Sequence, residues 1–167
     1  MNIKKKWLQS VNGDIQEIVD LLQELDEETI RAYPKPEQWS IMQITSHLNE
    51  AIPFWIKHIE DVVKDPSVKW GEGRSFFDNS RLYAISDKHI SCLTVNVVMK
   101  NLKKLPPAIE KILFSLNYTD LNTTAKSDKL PFKDKTVKYI FKKEVVNHIK
   151  GHVYQIKRNL VTLDKIL

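Results

Sequence analysis

Residues 144–156 read EVVNHIKGHVYQI and lie on an apolar pattern with the three-to-four-residue spacing of an amphipathic helix. His148 and His152 continue that pattern at positions where apolar residues would otherwise stand. Because residues four apart are neighbours on a helix surface, both imidazoles can face one ion. The apolar members of the pattern, which predict a helix over residues 136–163, are Val137, Phe141, Val145, Ile149, Ile156 and Leu160.

The histidine pair by itself leaves two interpretations open. Partly buried histidines are usually satisfied by a carbonyl or a carboxylate, and pairs with this spacing also occur by chance. His47 favours the metal interpretation, because it borders the apolar stripe of the predicted second helix. If the second and fourth helices pack side by side, three imidazoles meet inside a bundle. Three histidines with an open fourth position are typical of a catalytic zinc site.

The rest of the chain has the same helical period. Apolar spacing predicts a first helix over residues 7–31, a second after residue 40, a third over 88–105, and a helical stretch over 108–116 beyond two prolines. Ser40, with Gln43 three residues later, gives a capping-box pattern at the start of the second helix. Residues 66–87 and 117–135 lack the period and predict loops, the second with a short extended piece as an alternative. The pattern predicts an all-α four-helix bundle, with residues 1–167 as a single domain.

Composition and charge narrow the class of protein. The chain has 167 residues, of which 42% are hydrophobic and 28% charged, as in ordinary globular domains. Cys92 is the only cysteine and lies in an apolar helical stretch, so we expect a buried, inert thiol and a reducing compartment. No long apolar run follows the N-terminal lysines, so we expect no signal peptide, no membrane span and a cytoplasmic location. The lysines after Lys126 alternate with apolar residues, which favours a solvated helix face over a nucleic-acid surface.

Several other polar residues have two interpretations. Glu144, one turn before the histidine pair, either orients an imidazole, adds a carboxylate ligand, or pairs with a lysine on the surface. Gln43 and Gln155 can face the histidines, although a plain polar edge is favoured for each. His58 and His89 are interpreted as structural or surface residues, outside the histidine site.

The 66–87 segment contains further candidates for a binding pocket. Between residues 69 and 81 it carries Trp70, Arg74, Phe76, Phe77 and Arg81, which together can form the rim of a pocket for an anionic molecule. The favoured interpretation is that the aromatic side chains pack the loop onto the bundle while the arginines stay solvated.

Two distant motifs resemble the DinB/YfiT-like superfamily of bacterial proteins: WSIMQITSHL at residues 39–48 and HIKGHVYQI at residues 148–156. The shared features are a Trp-Ser/Thr opening of the second helix, a His-Leu eight residues on, and a His-x-x-x-His that ends in Gln-Ile. The resemblance implies a four-helix bundle in an up-down-down-up arrangement, and a homodimer. It also implies a divalent metal, zinc or nickel, bound by His47, His148 and His152.

The same resemblance implies candidate activities. Members with a known activity are metal-dependent transferases or isomerases that use low-molecular-weight thiols, and many others are described as metal-dependent hydrolases. We therefore expect an enzyme of the thiol S-transferase or hydrolase type, which acts on a small molecule through a metal-bound water or thiolate. The alternative is a non-catalytic metal-binding stress or interaction module. A pocket that reaches the histidines favours the enzyme, whereas a blocked site favours the module.

Overall fold

The chain folds into a bundle of helices in the computed structural model, which describes residues 2–74 and 78–164. A π-helical turn over Lys142–Val146 joins the last two helices, and the short strands β1 (Thr124–Ala125) and β2 (Lys135–Thr136) pair antiparallel. The helices are α1 (Ile3–Glu24), α2 (Glu27–Arg31), α3 (Ile41–Lys64), α4 (Asn79–Ala84), α5 (Asp87–Cys92), α6 (Val95–Leu102), α7 (Leu105–Ser115), α8 (Tyr118–Asn122), α9 (Val137–Phe141) and α10 (Asn147–Thr162).

The first helix of the bundle, α1, and the last, formed by α9 and α10, run in the same direction. Trp7, near the start of α1, stacks on Phe141 in α9, with ring centroids 5.6 Å apart. Farther along both units, Lys157 of α10 forms an ion pair with Glu17 of α1. The early parts of the two units therefore lie together, as do their later parts.

The two middle helices of the bundle, α3 and α7, run in the opposite direction. Asn159, near the end of α10, donates a hydrogen bond to the carbonyl of Trp39, just before α3 (2.8 Å). Lys4, at the start of α1, donates to the carbonyl of Leu116, just beyond the end of α7. The order is therefore up-down-down-up, as predicted.

Side-chain caps determine where the helices that carry the histidines begin. Ser40 and Gln43 form the predicted capping box of α3, in which each side chain accepts from the other residue's backbone N–H (3.2 and 3.0 Å). Thr136 accepts from the N–H of Tyr139 (3.1 Å) and caps α9, so the predicted start of the last helix is confirmed.

The predicted first and third helices were each too long. The first ends at Glu24, because the Asp26 side chain accepts from the N–H of Thr29 (2.7 Å) and starts a separate helix, α2. The third breaks between α5 and α6, where Thr94 accepts from the N–H of Val97 (3.3 Å) and starts α6. Short polar side chains compete for backbone hydrogen bonds, so they can interrupt a helix whose apolar period continues.

Both predicted loops contain regular structure. Residues 66–87 include α4, which begins after Asp78 accepts from the N–H of Ser80 (2.7 Å). Residues 117–135 include α8 and β1, and β1 pairs Thr124 with Thr136 at the start of the last helix. The second loop is thereby attached next to α9.

The apolar stripes of α1, α3, α7 and α9–α10 meet in one core, where Val11, Ile44 and Ile149 are all 0% exposed. Cys92 is exposed, contrary to the expectation of a buried thiol, because α5 is short and buries Ile90 instead. Across the two described ranges, none of the helices combines the length and the apolar character needed to span a bilayer.

Candidate metal centre

Three histidines from two helices converge at one point of the bundle. His47 comes from α3, and His148 and His152 come from successive turns of α10. One ring nitrogen of each lies within 4.8 Å of the other two, and the Nε2 atoms of His47 and His148 are 3.3 Å apart. The structure thus brings together the three residues that the sequence singled out.

Hydrogen bonds fix the orientation of the two imidazoles on α10. Nδ1 of His148 lies 3.3 Å from the backbone carbonyl oxygen of Glu144. Nδ1 of His152 lies 2.8 Å from Oε1 of Gln155. Because both partners are acceptors, each Nδ1 carries the proton and each Nε2 keeps its lone pair. Metal-binding imidazoles in proteins are commonly held in this way.

The imidazole of His47 has a carboxylate near its second nitrogen. Within the described chain, Nδ1 of His47 is buried without a hydrogen-bond partner, and Oε2 of Glu50 lies 3.8 Å from it. Arg74 donates to both oxygens of Glu50, with Nη2 2.7 Å from Oε2, and also lies 3.3 Å from Asp78. Arg74 is only 8% exposed, so this ionic group is largely shielded from water. A movement of roughly 1 Å would bring Glu50 into hydrogen-bond range of His47.

Sequence reasoning missed Glu50 and underrated Gln155. The segment HLNE places Glu50 three residues after His47, on the same helix face, and that spacing was the available signal. Gln155 contacts His152 directly, although a plain polar edge was favoured for it. Gln43 has a different role, since its side chain caps α3 and donates to the carbonyl of Ile85 (2.7 Å).

The π-helical turn over Lys142–Val146 directly precedes the histidine pair. Glu144 lies in this turn, and its backbone carbonyl, rather than its carboxylate, is the group that His148 contacts. The carboxylate lies 3.6 Å from Nζ of Lys143, so the predicted pairing with a lysine is present. Glu144 is half-buried, however, and not exposed as the surface-pair interpretation expected. Such turns are frequent at functional sites.

Burial keeps the imidazoles neutral. Desolvation, with the neighbouring histidines adding to it, lowers the pKa of His47 to about 2. Desolvation and the proximity of His152 lower the pKa of His148 to about 4. Desolvation also lowers the pKa of His152. At neutral pH the cluster therefore presents unprotonated nitrogens, the form that a metal ion requires.

A cavity of about 500 Å³ reaches the histidine cluster. Trp39 lies beside the cluster, with its ring centroid 5.1 Å from that of His47 and 6.3 Å from that of His152. Arg81 lies over the Trp39 ring at 5.2 Å. The lining residues are Trp39, His47, Trp55, Arg74, Arg81, Lys129, Phe132, Glu144, His148 and His152.

The predicted rim is correct for its arginines. Both Arg74 and Arg81 line the cavity, and Arg74 is buried, so the favoured interpretation of solvated arginines is wrong for Arg74. Trp70 packs into the core as expected, and its Nε1 donates to the carbonyl of Lys135 (2.7 Å). Phe76 and Phe77 lie outside the described residues.

The two remaining histidines have structural surroundings, as predicted. Nε2 of His58 accepts a hydrogen bond from the N–H of Gly71 (2.9 Å) and thereby attaches the loop after α3 to that helix. The ring of His89 packs on Tyr83 with centroids 4.6 Å apart. Neither belongs to the three-histidine cluster.

Comparisons with known proteins place the fold. No protein-family model and no curated protein matches this sequence. Among solved structures, it matches YfiT from Bacillus subtilis with a TM-score of 0.80 and 11% sequence identity, over 98% of this chain and 90% of that one. YfiT is described as a probable metal-dependent hydrolase with an unusual four-helix bundle topology. Identity this low establishes the fold and leaves the reaction open. The chain therefore has an all-α four-helix bundle with the fold of YfiT, the fold that the resemblance of its two histidine motifs implied.

Proposed function

We propose that His47, His148 and His152 bind one divalent cation, zinc or nickel, and that the protein is a metal-dependent enzyme acting on a small anionic molecule. The observation that carries this proposal is the convergence of three neutral imidazoles on a cavity of about 500 Å³. A cavity of this size is within the range of small-molecule sites.

The residues present fit such an ion. Imidazole nitrogens bind zinc at about 2.0–2.1 Å in tetrahedral geometry, so two of them lie about 3.3 Å apart around one ion. The Nε2 atoms of His47 and His148 have this separation, 3.3 Å. Since burial lowers the pKa of these imidazoles, no proton needs to leave them at neutral pH. Imidazole ligands suit both zinc and nickel, and the donor set does not distinguish them.

The cavity walls support a small anionic substrate. Arg74, Arg81 and Lys129 all contribute positive charge to the lining, and Glu50, which pairs with Arg74, offsets part of it. Trp55 and Phe132 supply an apolar face, with ring centroids 5.5 Å apart. We infer that a substrate places its anionic group toward the cations and its apolar part along the rings.

Glu144 is the candidate for proton transfer. Burial raises the pKa of its carboxyl group, although Lys143 opposes this shift, and the residue lines the cavity beside the histidines. A carboxyl group whose pKa is raised toward neutrality can both accept and return a proton. When bound, a divalent cation supplies Lewis acidity and lowers the pKa of water or a thiol in contact with it.

Two reactions fit this lining: hydrolysis, and transfer of a low-molecular-weight thiol. The cationic residues Arg81 and Lys129 favour the second, because such thiols carry carboxylates. The cavity disfavours the non-catalytic alternative, because a non-catalytic module predicts a blocked site.

We also propose that the protein is a cytoplasmic homodimer. Light scattering after size exclusion tests the dimer.

Elemental analysis of untagged protein tests the metal site. We expect about one zinc or nickel per chain in the wild type and in a His89→Ala control, and none in a His148→Ala/His152→Ala variant that keeps its helical circular dichroism. Absence of metal from the wild type, even after incubation with excess zinc and nickel, would overturn the proposal. Metal binding without turnover of ester, amide or thiol-transfer substrates would leave the non-catalytic module as the function.

A further inference from the structure

A second cavity, of about 350 Å³, lies between α3 and the segment α4–α6. Ser46, Asn49 and Glu50 of α3 form one wall, at positions three and four apart on one helix face. Tyr83 of α4 and His89 of α5 also line it. The histidine cluster does not use this space, and the proposed enzyme reaction does not require it.

The α3 wall of this cavity presents hydrogen-bond acceptors. Nδ2 of Asn49 donates to the carbonyl of Val98 (3.2 Å), which fixes the orientation of the amide and makes Oδ1 the remaining acceptor. In the described part of the chain, this Oδ1 is buried and has no hydrogen-bond partner. The hydroxyl of Ser46 donates to the carbonyl of Ala84 (2.7 Å), so its oxygen has only acceptor capacity left. A buried acceptor without a partner is costly, so a ligand with donors would be stabilised here.

The charge at this wall favours a cation. Glu50 is the only carboxylate among the described lining residues, and no lysine or arginine is among them. Arg74 is held between Glu50 and Asp78 outside the lining, so Glu50 is the charged group that the cavity itself presents. The packed rings of Tyr83 and His89 add an aromatic surface, and a tyrosine face attracts cations.

We propose that this cavity binds a small organic cation that carries N–H donors, a primary ammonium or a guanidinium group. Its donors pair with Oδ1 of Asn49 and with the oxygens of Ser46 and Glu50, and its charge is opposite to that of the Glu50 carboxylate. The site shares none of the three histidines with the metal centre, although Glu50 lies beside both.

Titration of ¹⁵N-labelled wild-type protein with propylammonium and methylguanidinium, followed by NMR, tests the proposal. We expect saturable shifts of the Asn49 side-chain amide and of residues around Tyr83, and no saturable shift with propanol or propionate. An Asn49→Leu variant should bind at least about tenfold more weakly, since a hydrogen bond to a charged donor is lost. Asn12→Leu, on the exposed face of α1, is the matched control and should bind like the wild type.

A His89→Ala variant keeps the test decisive if Asn49→Leu fails to fold, because His89 is half-buried at the cavity edge. It should also weaken binding of both cations, severalfold, with circular dichroism unchanged. The proposal is overturned if neither cation gives saturable shifts, if propanol binds as tightly, or if the folded cavity variants bind like the Asn12→Leu control.

Discussion

Oε2 of Glu50 lies 3.8 Å from Nδ1 of His47, one helical turn back along α3, and the Arg74 guanidinium holds the same carboxylate. The loop after α3 is thereby connected to an imidazole of the candidate metal centre. A carboxylate behind an imidazole fixes its tautomer and raises its basicity. Glu50 is therefore placed to tune the one histidine whose second nitrogen has no hydrogen bond within the described chain.

A Glu50→Gln variant should bind zinc or nickel about tenfold more weakly than the wild type, because His47 loses the nearby carboxylate. Competition with a chromogenic chelator measures this affinity. Glu60→Gln, on the same helix but outside the cavity lining, is the control and should bind metal normally. Equal affinity in the two variants would mean that Glu50 holds the loop through Arg74 and has no effect on metal binding.

Arg74→Met should lower the free energy of unfolding by about 3 kcal/mol, because it leaves the carboxylate of Glu50 shielded without its partner. The double variant Arg74→Met/Glu50→Gln should lose clearly less than the sum of the single losses, since the unpaired charge is also gone. Urea unfolding of the metal-free proteins gives all four values. Lys57→Met breaks the exposed pair with Asp61 and should cost less than about 1 kcal/mol. Additive losses would contradict this role of the buried pair.

The free energy of unfolding of the metal-free protein should decrease as the pH is lowered below 6.5, the ordinary pKa of histidine. The pKa of His148 is lowered to about 4 in the folded chain, so the unfolded chain binds the proton first and acid favours unfolding. Stability from this group is present above pH 6.5 and is lost as the pH falls toward 4. The loss between pH 6.5 and about pH 5 is about 1.6 kcal/mol for His148 alone.

Urea unfolding at several pH values measures this slope. His148→Gln should flatten it by about the contribution of one histidine, whereas Asn12→Leu, an exposed substitution that removes no titratable group, should leave it unchanged. A slope that is the same in His148→Gln and in the wild type would contradict the burial of a neutral imidazole.

The apolar period predicted the helices and the helix face on which each histidine lies, because both depend on local spacing. His148 and His152 share a face of α10, and the capping box of Ser40 fixes the helix that carries His47. The resemblance to a known superfamily then supplied the helix directions, which spacing alone does not determine. Tertiary contacts among distant residues support the same order, as between Trp39 and Asn159.

What the sequence could not predict depends on contacts between distant or irregular segments. Arg74 is buried because it meets Glu50, 24 residues away, and nothing in the local sequence around it indicates that partner. The π-helical turn at Lys142–Val146 has no apolar signature, because Val145 stays in the buried stripe. The break before α6 had a local signal, the capping residue Thr94. The apolar pattern continues across it and therefore favoured one uninterrupted helix.

Gly151 lies between the two α10 histidines, yet neither its geometry nor its surroundings require glycine. It is exposed, and a Cβ built there meets nothing within 4 Å. Alanine is favoured over glycine in a helix interior by about 1 kcal/mol, so Gly151→Ala should stabilise the protein by about that amount. Because the new methyl group points to open space, metal stoichiometry and affinity should not change. Thermal unfolding together with chelator competition measures both effects.

Gly13→Ala is the matched control for that substitution, since Gly13 is also an exposed, helical glycine with open space around it, but in α1. Both variants should gain similar stability if helix propensity is the only effect. Weaker metal binding in Gly151→Ala alone would mean that the spacing of His148 and His152 relies on the backbone freedom of this glycine. In that case the i,i+4 geometry of regular α-helix, from which the metal site is inferred, would not be the geometry in which the ion is bound.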